Sequence, residues 1–518
     1  MGSSKVGMLV PMAIIMQFVG IKAANILAIL TTPTRSHHNW NTPLMLSLAS
    51  RGHHVTIVSP VALTVPVPNI TDIVLEGSLD YTNEEADYAS MTKINILEKL
   101  SLVKDWYLSS CQYSLSTNGA KTLMEYTKNT TFDLYIIEAS GGECFFGFLH
   151  KFGRAPIVAI NGFGSPEWIN YNIGSPYNPS YITSSFLNYD YPSGLWQRIQ
   201  NTLIYSAAMF LYHYSYLPSQ DALIRKHFGE GVPPVKETLN NVSVLLVSYH
   251  HSFDGPRPLV PAMIPVGGIH IKKPKPLPKD IQTYLDDAKD GVIFFSLGSI
   301  VRSDRMSEDR IQLFLEAFAE LPQKVLWKWE SDSLPGQPKN VKLGKWLPQN
   351  DILAHPNIRL FISHSGLLST HEAIYHAVPV VGMPFIVDQH TNIEKIASLG
   401  LGEKLDYLTL TKDMILSKIR KVIEDPKYRE NMKRISAQFR DNPEPPLERA
   451  VYWTEYVLRH QGAEHLRAAS LDMPLYQYLL LDVVAVLLGS VVVVLVVIWL
   501  AARTILRAIL RTDKVKQQ

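Results

Sequence analysis

Apolar and polar positions change period repeatedly along the chain. From Asn25 the order is an apolar run NILAIL, a polar loop TTPTRSHHNW, a stretch carrying Leu44, Leu46 and Leu48, and a second apolar run in HHVTIVS. Strand, loop, helix, strand is the opening unit of an open parallel sheet, because parallel neighbours need a crossover that a helix supplies. LYIIEAS (134–140) and IVAI (157–160) read as further buried strands of the same half. A second alternating region begins at Gly291: VIFFS (292–296), VLWKW (325–329), IRLFIS (358–363) and PVVGM (379–383), separated by helix-like stretches such as RIQLFLEAFAEL (310–321). Between the halves, residues 254–279 are proline-rich and follow no regular period, which marks a linker. The pattern predicts an α/β protein of two doubly wound, Rossmann-like domains, 25–253 and 280–465.

Length agrees, since 518 residues exceed what one core organises. Lys+Arg 49 against Asp+Glu 47 leaves a net charge of +2, so no broad basic face points to nucleic acid. The two cysteines, Cys111 and Cys144, are too few for a disulfide framework or a structural zinc site; one disulfide or two buried thiols are both open. Residues 1–24 read as a secretory signal peptide: Lys5, an apolar stretch from Val6 to Ile21, then Ala23 and Ala24. Residues 483–502 hold no charge over 20 positions, enough to span a hydrocarbon core as a helix, after a juxtamembrane segment 466–482. Arg503, Arg507, Arg511, Lys514 and Lys516 follow, so the tail 503–518 is expected in the cytosol and the rest in the lumen. The sequons at Asn69, Asn129 and Asn241 fit that side, and KVKQQ resembles a dilysine signal for retrieval to the endoplasmic reticulum; a basic tail on anionic headgroups is the alternative. The Trp- and Tyr-rich stretch from Trp168 to Tyr216 suits core filling, an apolar pocket or a surface resting on the membrane.

The chemistry concentrates in HSGLLSTHEA, His364 to Ala373, directly after the strand IRLFIS and opening a helix. Ligands of open α/β sheets bind at the carboxyl ends of strands, and a helix start offers free N–H groups and partial positive charge to phosphate. Gly366 permits close backbone approach, Ser369 and Thr370 add hydroxyls, and Glu372 suits a diol such as ribose. That combination suggests a nucleoside diphosphate. No G-x-G-x-x-G follows either first strand and no phosphate-binding G-x-x-x-x-G-K-[ST] occurs, so the nucleotide is held another way.

The stretch WLPQNDILAHPNIRLFISHSGLLSTHEAIYHAVPVVGMPFIVDQ, Trp346 to Gln389, resembles the signature of the UDP-glycosyltransferases, as do FSLGS (295–299) and TRSHHNW; GGIHIKKPKPLP and VLWKWE look most like membrane-bound insect members. The resemblance implies a GT-B fold, two such domains facing across a cleft, with one C-terminal transmembrane helix. It also implies that Trp346 stacks on uracil, Gln349 contacts the uridine, His364, Ser369 and Thr370 meet the diphosphate with Ser299, Glu372 holds the ribose, and Asp388 and Gln389 hold the sugar. His37 matches the catalytic base, with His38 as runner-up, and Glu138 stands where the family has its supporting Asp. Ser365 departs from the usual His-Gly-Gly and adds a side chain expected beside the phosphate, to crowd it or to donate to it.

The expected reaction is inverting transfer of a hexosyl group, from UDP-glucose by kinship, to a small lipophilic hydroxylated acceptor, with no cofactor and no metal. Partners are thus the donor, the acceptor and the membrane, with no nucleic acid; a homo-oligomer stays open. Rival readings are a non-catalytic binder of the same fold and a transferase acting on membrane lipid.

Overall fold

The computed structural model describes residues 22–81, 94–127, 129–386 and 388–516, with side chains described as far as Ile509. The expected signal segment thus lies outside the described residues as far as Ile21, as do the side chains of Arg511, Lys514 and Lys516.

Strands β1 (Asn25–Ile29), β2 (His54–Ser59), β3 (Ile70–Val74), β4 (Leu134–Glu138), β5 (Ile157–Asn161), β6 (Val242–Val247) and β7 (Met263–Pro265) form one parallel sheet in the order β3-β2-β1-β4-β5-β6-β7. Strands β8 (Val292–Ser296), β9 (Lys324–Lys328), β10 (Val341–Gly344), β11 (Ile358–Ser363), β12 (Val380–Gly382) and β13 (Gly402–Lys404) form the second, in the order β10-β9-β8-β11-β12-β13. The central strands β4, β5 and β8 are buried at every position, which is why they read as unbroken apolar runs and not as alternation. Strand order reverses between β1 and β4 and again between β8 and β11, and the loops leaving these strands open toward one cleft of about 600 Å³. Two switch points facing each other make this the expected place for ligands.

Two boundaries differ from expectation. Within the proline-rich 254–279, Met263–Pro265 pairs with β6 as an edge strand, a position where proline is tolerated because no further neighbour needs its missing N–H. The helix Pro446–His460 leaves the second domain and packs on the first: Ala450, Val451 and Val457 share a core with Ile26, Leu44 and Val55, and Arg51 bonds Glu448 and Glu455 at 2.5 and 3.2 Å.

Cys111, in the helix Ile96–Ser116, and Cys144, just after β4, form a disulfide with Cα atoms 6.2 Å apart. The aromatic stretch divides its roles. Trp168, Phe186, Tyr212 and Tyr216 are core, while Leu195, Trp196, Leu203 and Phe210 face outward along one helix and Tyr214 does so in the π-helical turn that follows it. Asn129 and Asn241 are exposed; Asn69 is exposed too, at φ 62°, with Nδ2 donating to Ala49 O at 3.2 Å. The C-terminal helix runs from Leu481 to Lys516, and its segment Leu481–Ile509 is long and apolar enough to cross a membrane.

Candidate active site

The loop after β1 ends at Thr34, whose hydroxyl accepts the His37 N–H at 3.3 Å and caps the helix Arg35–Ser50. His37 therefore sits in the first turn, on the cleft wall, its side chain 12% exposed. Glu138 ends β4, the next strand in the sheet, and its Oε1 bonds His37 Nδ1. The longer side chain reaches the ring. Glu138 Oε2 accepts the Thr32 N–H at 3.1 Å, and Asn41 Nδ2 lies 3.5 Å from Oε1. Burial pushes the Glu138 carboxyl up, but the His37 ring and Thr32 outweigh it and hold it below its ordinary value. An ionised carboxylate at Nδ1 fixes the proton there, so the lone pair is on Nε2. His38 lines the cleft as well, but burial holds its pKa down, Asp72 only partly opposing, and no carboxylate lies within ion-pair distance among the described residues.

Across the cleft, β11 ends at Ser363 and the chain turns through His364, Ser365 and Gly366 into the helix Leu367–Tyr375. His364 is packed between two glycines: a Cβ on Gly298 would fall 2.5 Å from its Cε1, and one on Gly366 2.5 Å from its Nε2. Burial, helped by Lys328, lowers its pKa to about 4, so the ring is neutral at pH 7. Ser299, in the loop after β8, and Ser369 line the same wall. Trp346 is 61% exposed at the rim. Gln349 Nε2 donates to Ser369 Oγ at 3.2 Å and to Glu372 Oε2 at 2.5 Å, placing a hydroxyl and a carboxylate side by side. Asp388 starts the helix Asp388–Ser398; its Oδ2 accepts from Asn392 Nδ2 at 2.8 Å and from the Leu367 N–H at 3.3 Å, and burial raises its pKa to about 6. Gln389 Oε1 is taken by the N–H groups of Phe385 and Ile386 at 2.8 and 3.1 Å, which turns its amide nitrogen to the cleft.

His37, Ser299, Trp346, Gln349, His364, Gly366, Ser369, Glu372, Asp388 and Gln389 thus share one wall-to-wall cleft, with Glu138 behind His37. Thr370 does not join them: it is 2% exposed and absent from the cleft lining. Ser365 also differs from expectation. It holds φ 64°, is fully buried, and points its Oγ at Gly382, where a Cβ would lie 2.2 Å away. The left-handed backbone turns the side chain toward Gly382, and Ser365 is absent from the cleft lining. Strain at that φ and a buried hydroxyl with no hydrogen-bond partner among the described residues both weigh against serine. Ser365→Gly is expected to stabilise the protein by about 0.5–1 kcal/mol and to leave the affinity for UDP unchanged, as thermal unfolding with and without UDP would read.

Glu372 carries a second prediction. Burial raises its pKa to about 7, although its side chain is 14% exposed. A carboxyl whose pKa is raised by folding binds its proton more tightly in the native state, so its contribution to stability falls as pH rises from about 4.3, the unfolded value, through 7. The Tm of Glu372→Gln is therefore expected to gain on that of wild type between pH 5 and pH 8. A diol donates to the ionised form, so nucleotide affinity of the wild type is expected to rise over the same interval.

Lys328, at the end of β9 with Nζ 2.5 Å from Glu330 Oε1, lines the cleft and was not singled out in the sequence; a lone lysine inside VLWKW is the signal that could have found it. His270 and Lys272 bring the linker to the same wall.

A family model described as "UDP-glucoronosyl and UDP-glucosyl transferase" matches residues 28–516. The chain is 38% identical over 493 residues to the "UDP-glycosyltransferase UGT5" of Dactylopius coccus, covering 93% of this chain and 92% of that one. It is 40% identical over 467 residues to the "UDP-glucosyltransferase 2" of the same insect, covering 90% of each. It is 31% identical to the "UDP-glucuronosyltransferase 2B19" of Macaca fascicularis, covering 91% of this chain and 92% of that one. Among solved structures, the calicheamicin glycosyltransferase CalG4 matches with TM-score 0.53 at 18% identity, covering 85% of this chain and 99% of that one; VinC in complex with dTDP matches with TM-score 0.56 at 16% identity, covering 84% and 100%. The fold is GT-B, and the chain belongs to the UDP-glucuronosyl and UDP-glucosyl transferase family.

Proposed function

We propose that the protein transfers a hexosyl group from a UDP-sugar, UDP-glucose first, to a hydroxyl of a small lipophilic acceptor, with inversion. The observation that carries this is the buried Glu138 behind His37, facing Asp388 and Gln389 across one cleft. In the reaction, His37 Nε2 takes the acceptor's proton as its oxygen bonds the anomeric carbon. The bond from that carbon to the phosphate oxygen breaks, and UDP leaves with the electron pair. Glu138 stabilises the imidazolium. The start of the helix Leu367–Tyr375 and the neutral His364 receive the developing phosphate charge. Trp346 and Gln349 hold the uridine, Glu372 the ribose, Ser299 and Ser369 the diphosphate, and Asp388 and Gln389 the sugar. The reading calls on no cofactor and no metal.

Residence in the endoplasmic reticulum, catalytic part lumenal, belongs to the same reading, as do glycans on Asn69, Asn129 and Asn241 and a role in detoxification. The helix Leu195–Leu211 has an outward apolar face, and the segment leading to the C-terminal helix packs on the same domain, Ser470 Oγ donating to Gly174 O at 3.5 Å. That juxtaposition favours acceptors that partition into lipid and keeps membrane lipid itself as a second acceptor class. The non-catalytic binder loses its main argument, because Ser365 is turned away from the cleft. UDP release by full-length protein in microsomes, given UDP-glucose or UDP-glucuronate with phenols or with membrane lipids alone, tests donor and acceptor together. Binding of donor with no release over the whole panel would favour the binder.

A further inference from the structure

Arg35 is a misplaced cation by ordinary rules. It occupies the first position of the helix Arg35–Ser50, at the positive end of the helix dipole, and that first turn holds no acidic residue. It is exposed, and no carboxylate lies within 4 Å of it among the described residues. Its guanidinium instead lies over the Trp346 ring, 5.9 Å from the centroid, reaching from the first domain to the second. Trp346 is itself 61% exposed, a large apolar face held at the rim of the cleft. Two side chains that each forgo a better environment, and meet only across the cleft, suggest a site completed by a third, planar group.

We propose that Arg35 is a donor-binding residue which covers the outer face of the uracil, so that the base is held between the Trp346 ring and the Arg35 guanidinium. This rests on the reading of Trp346 as the uracil platform. The guanidinium carbon lies 5.9 Å from the ring centroid, short of the about 7 Å that two van der Waals layers need, so the side chain swings outward to admit a flat base with both faces in contact. The guanidinium is planar, stacks on π faces and is weakly hydrated, which a lysine ammonium is not. Uracil carbonyls accept its N–H groups, and the diphosphate in the same cleft attracts its charge. Arg35 lies two residues before His37, so the same helix start that closes on the base also sets the catalytic ring.

The test is UDP binding by calorimetry to the full-length protein in detergent, for wild type, Arg35→Ala and Arg35→Lys, with thermal unfolding as the folding control. The exposed position predicts unchanged Tm for both variants. UDP affinity is expected to fall about tenfold in Arg35→Ala, and Arg35→Lys, which keeps the charge and loses the plane, is expected to recover less than half of that loss. Unchanged or tighter UDP binding by Arg35→Ala would show that Arg35 merely occupies an empty ring, and full recovery by Arg35→Lys would replace the sandwich by a simple charge effect; either overturns the proposal. Wild type that binds no UDP would instead overturn the donor-site reading on which it rests.

Discussion

His37→Ala is expected to lower glycosyl transfer by about 10³-fold, within the range general-base groups contribute, while UDP binding stays within twofold of wild type. The separation follows from geometry. Among the described residues, the hydrogen bonds of His37 run to Thr34 and Glu138, both in the first domain. Removing the ring takes away the proton acceptor and leaves Trp346, Gln349, Glu372 and the start of the helix Leu367–Tyr375 intact. Glu138→Gln refines the test, since the amide keeps the length but can donate to Nδ1 as well as accept from it, and so no longer fixes the lone pair on Nε2 or supports an imidazolium. A loss of about 10²-fold or more is expected there, below that of His37→Ala. Parallel assays of UDP formation and UDP binding would check both; His38→Ala serves as comparison, because that ring lacks a carboxylate partner and is expected to lose far less.

Gly298→Ala is expected to be the most damaging substitution on the donor side. Gly298 holds φ +84°, where an alanine costs about 1–2 kcal/mol. Its new Cβ would also meet the His364 ring at 2.5 Å from Cε1 and 2.8 Å from Nε2. The ring cannot retreat, because it already fills the space beside Gly366 on its other side. Either the loop after β8 or the start of the helix Leu367–Tyr375 must move, and both line the cleft where the diphosphate is proposed to lie. Donor kcat/KM is expected to fall by more than about 100-fold, with a lowered Tm, since a displacement near 1 Å suffices for losses of that order. Gly336→Ala separates the two causes: Gly336 also holds a positive φ, +76°, but its Cβ would make only an ordinary contact at 3.6 Å. It is expected to reproduce the stability loss from backbone strain and to leave donor kcat/KM near wild type.

Much of this arrangement was legible from residues alone. Strands buried on both faces, such as Leu134–Glu138 and Val292–Ser296, announce themselves as apolar runs, and HSGLLSTHEA after Ile358–Ser363 locates one wall of the cleft. Val242–Val247 carries nearly the same signature, interrupted by the half-buried Ser243. Other features have no local signal. Met263–Pro265, Val341–Gly344 and Gly402–Lys404 are three or four residues long, and KLG or GEK becomes a strand only because a neighbour offers its edge. The return of Pro446–His460 to the first domain depends on Ala450, Val451 and Val457 meeting a surface built 400 residues earlier, which no period within the helix reveals. Ser365 was misjudged because side-chain direction there follows from the sign of φ, and sequence does not carry that sign for a serine. The pairing of Cys111 with Cys144 likewise needed the helix Ile96–Ser116 folded against the end of β4.

The central claim is that His37 and the UDP-sugar wall act on one substrate pair in a single inverting step. Proton NMR of the full-length protein in microsomes, supplied with UDP-glucose and a phenol it turns over, reads this directly. UDP and the β-glucoside are expected to appear in equal amounts from the α-linked donor, and to form about 10³-fold more slowly with His37→Ala. An α-glucoside, or β-glucoside formed at the wild-type rate by His37→Ala, would contradict it.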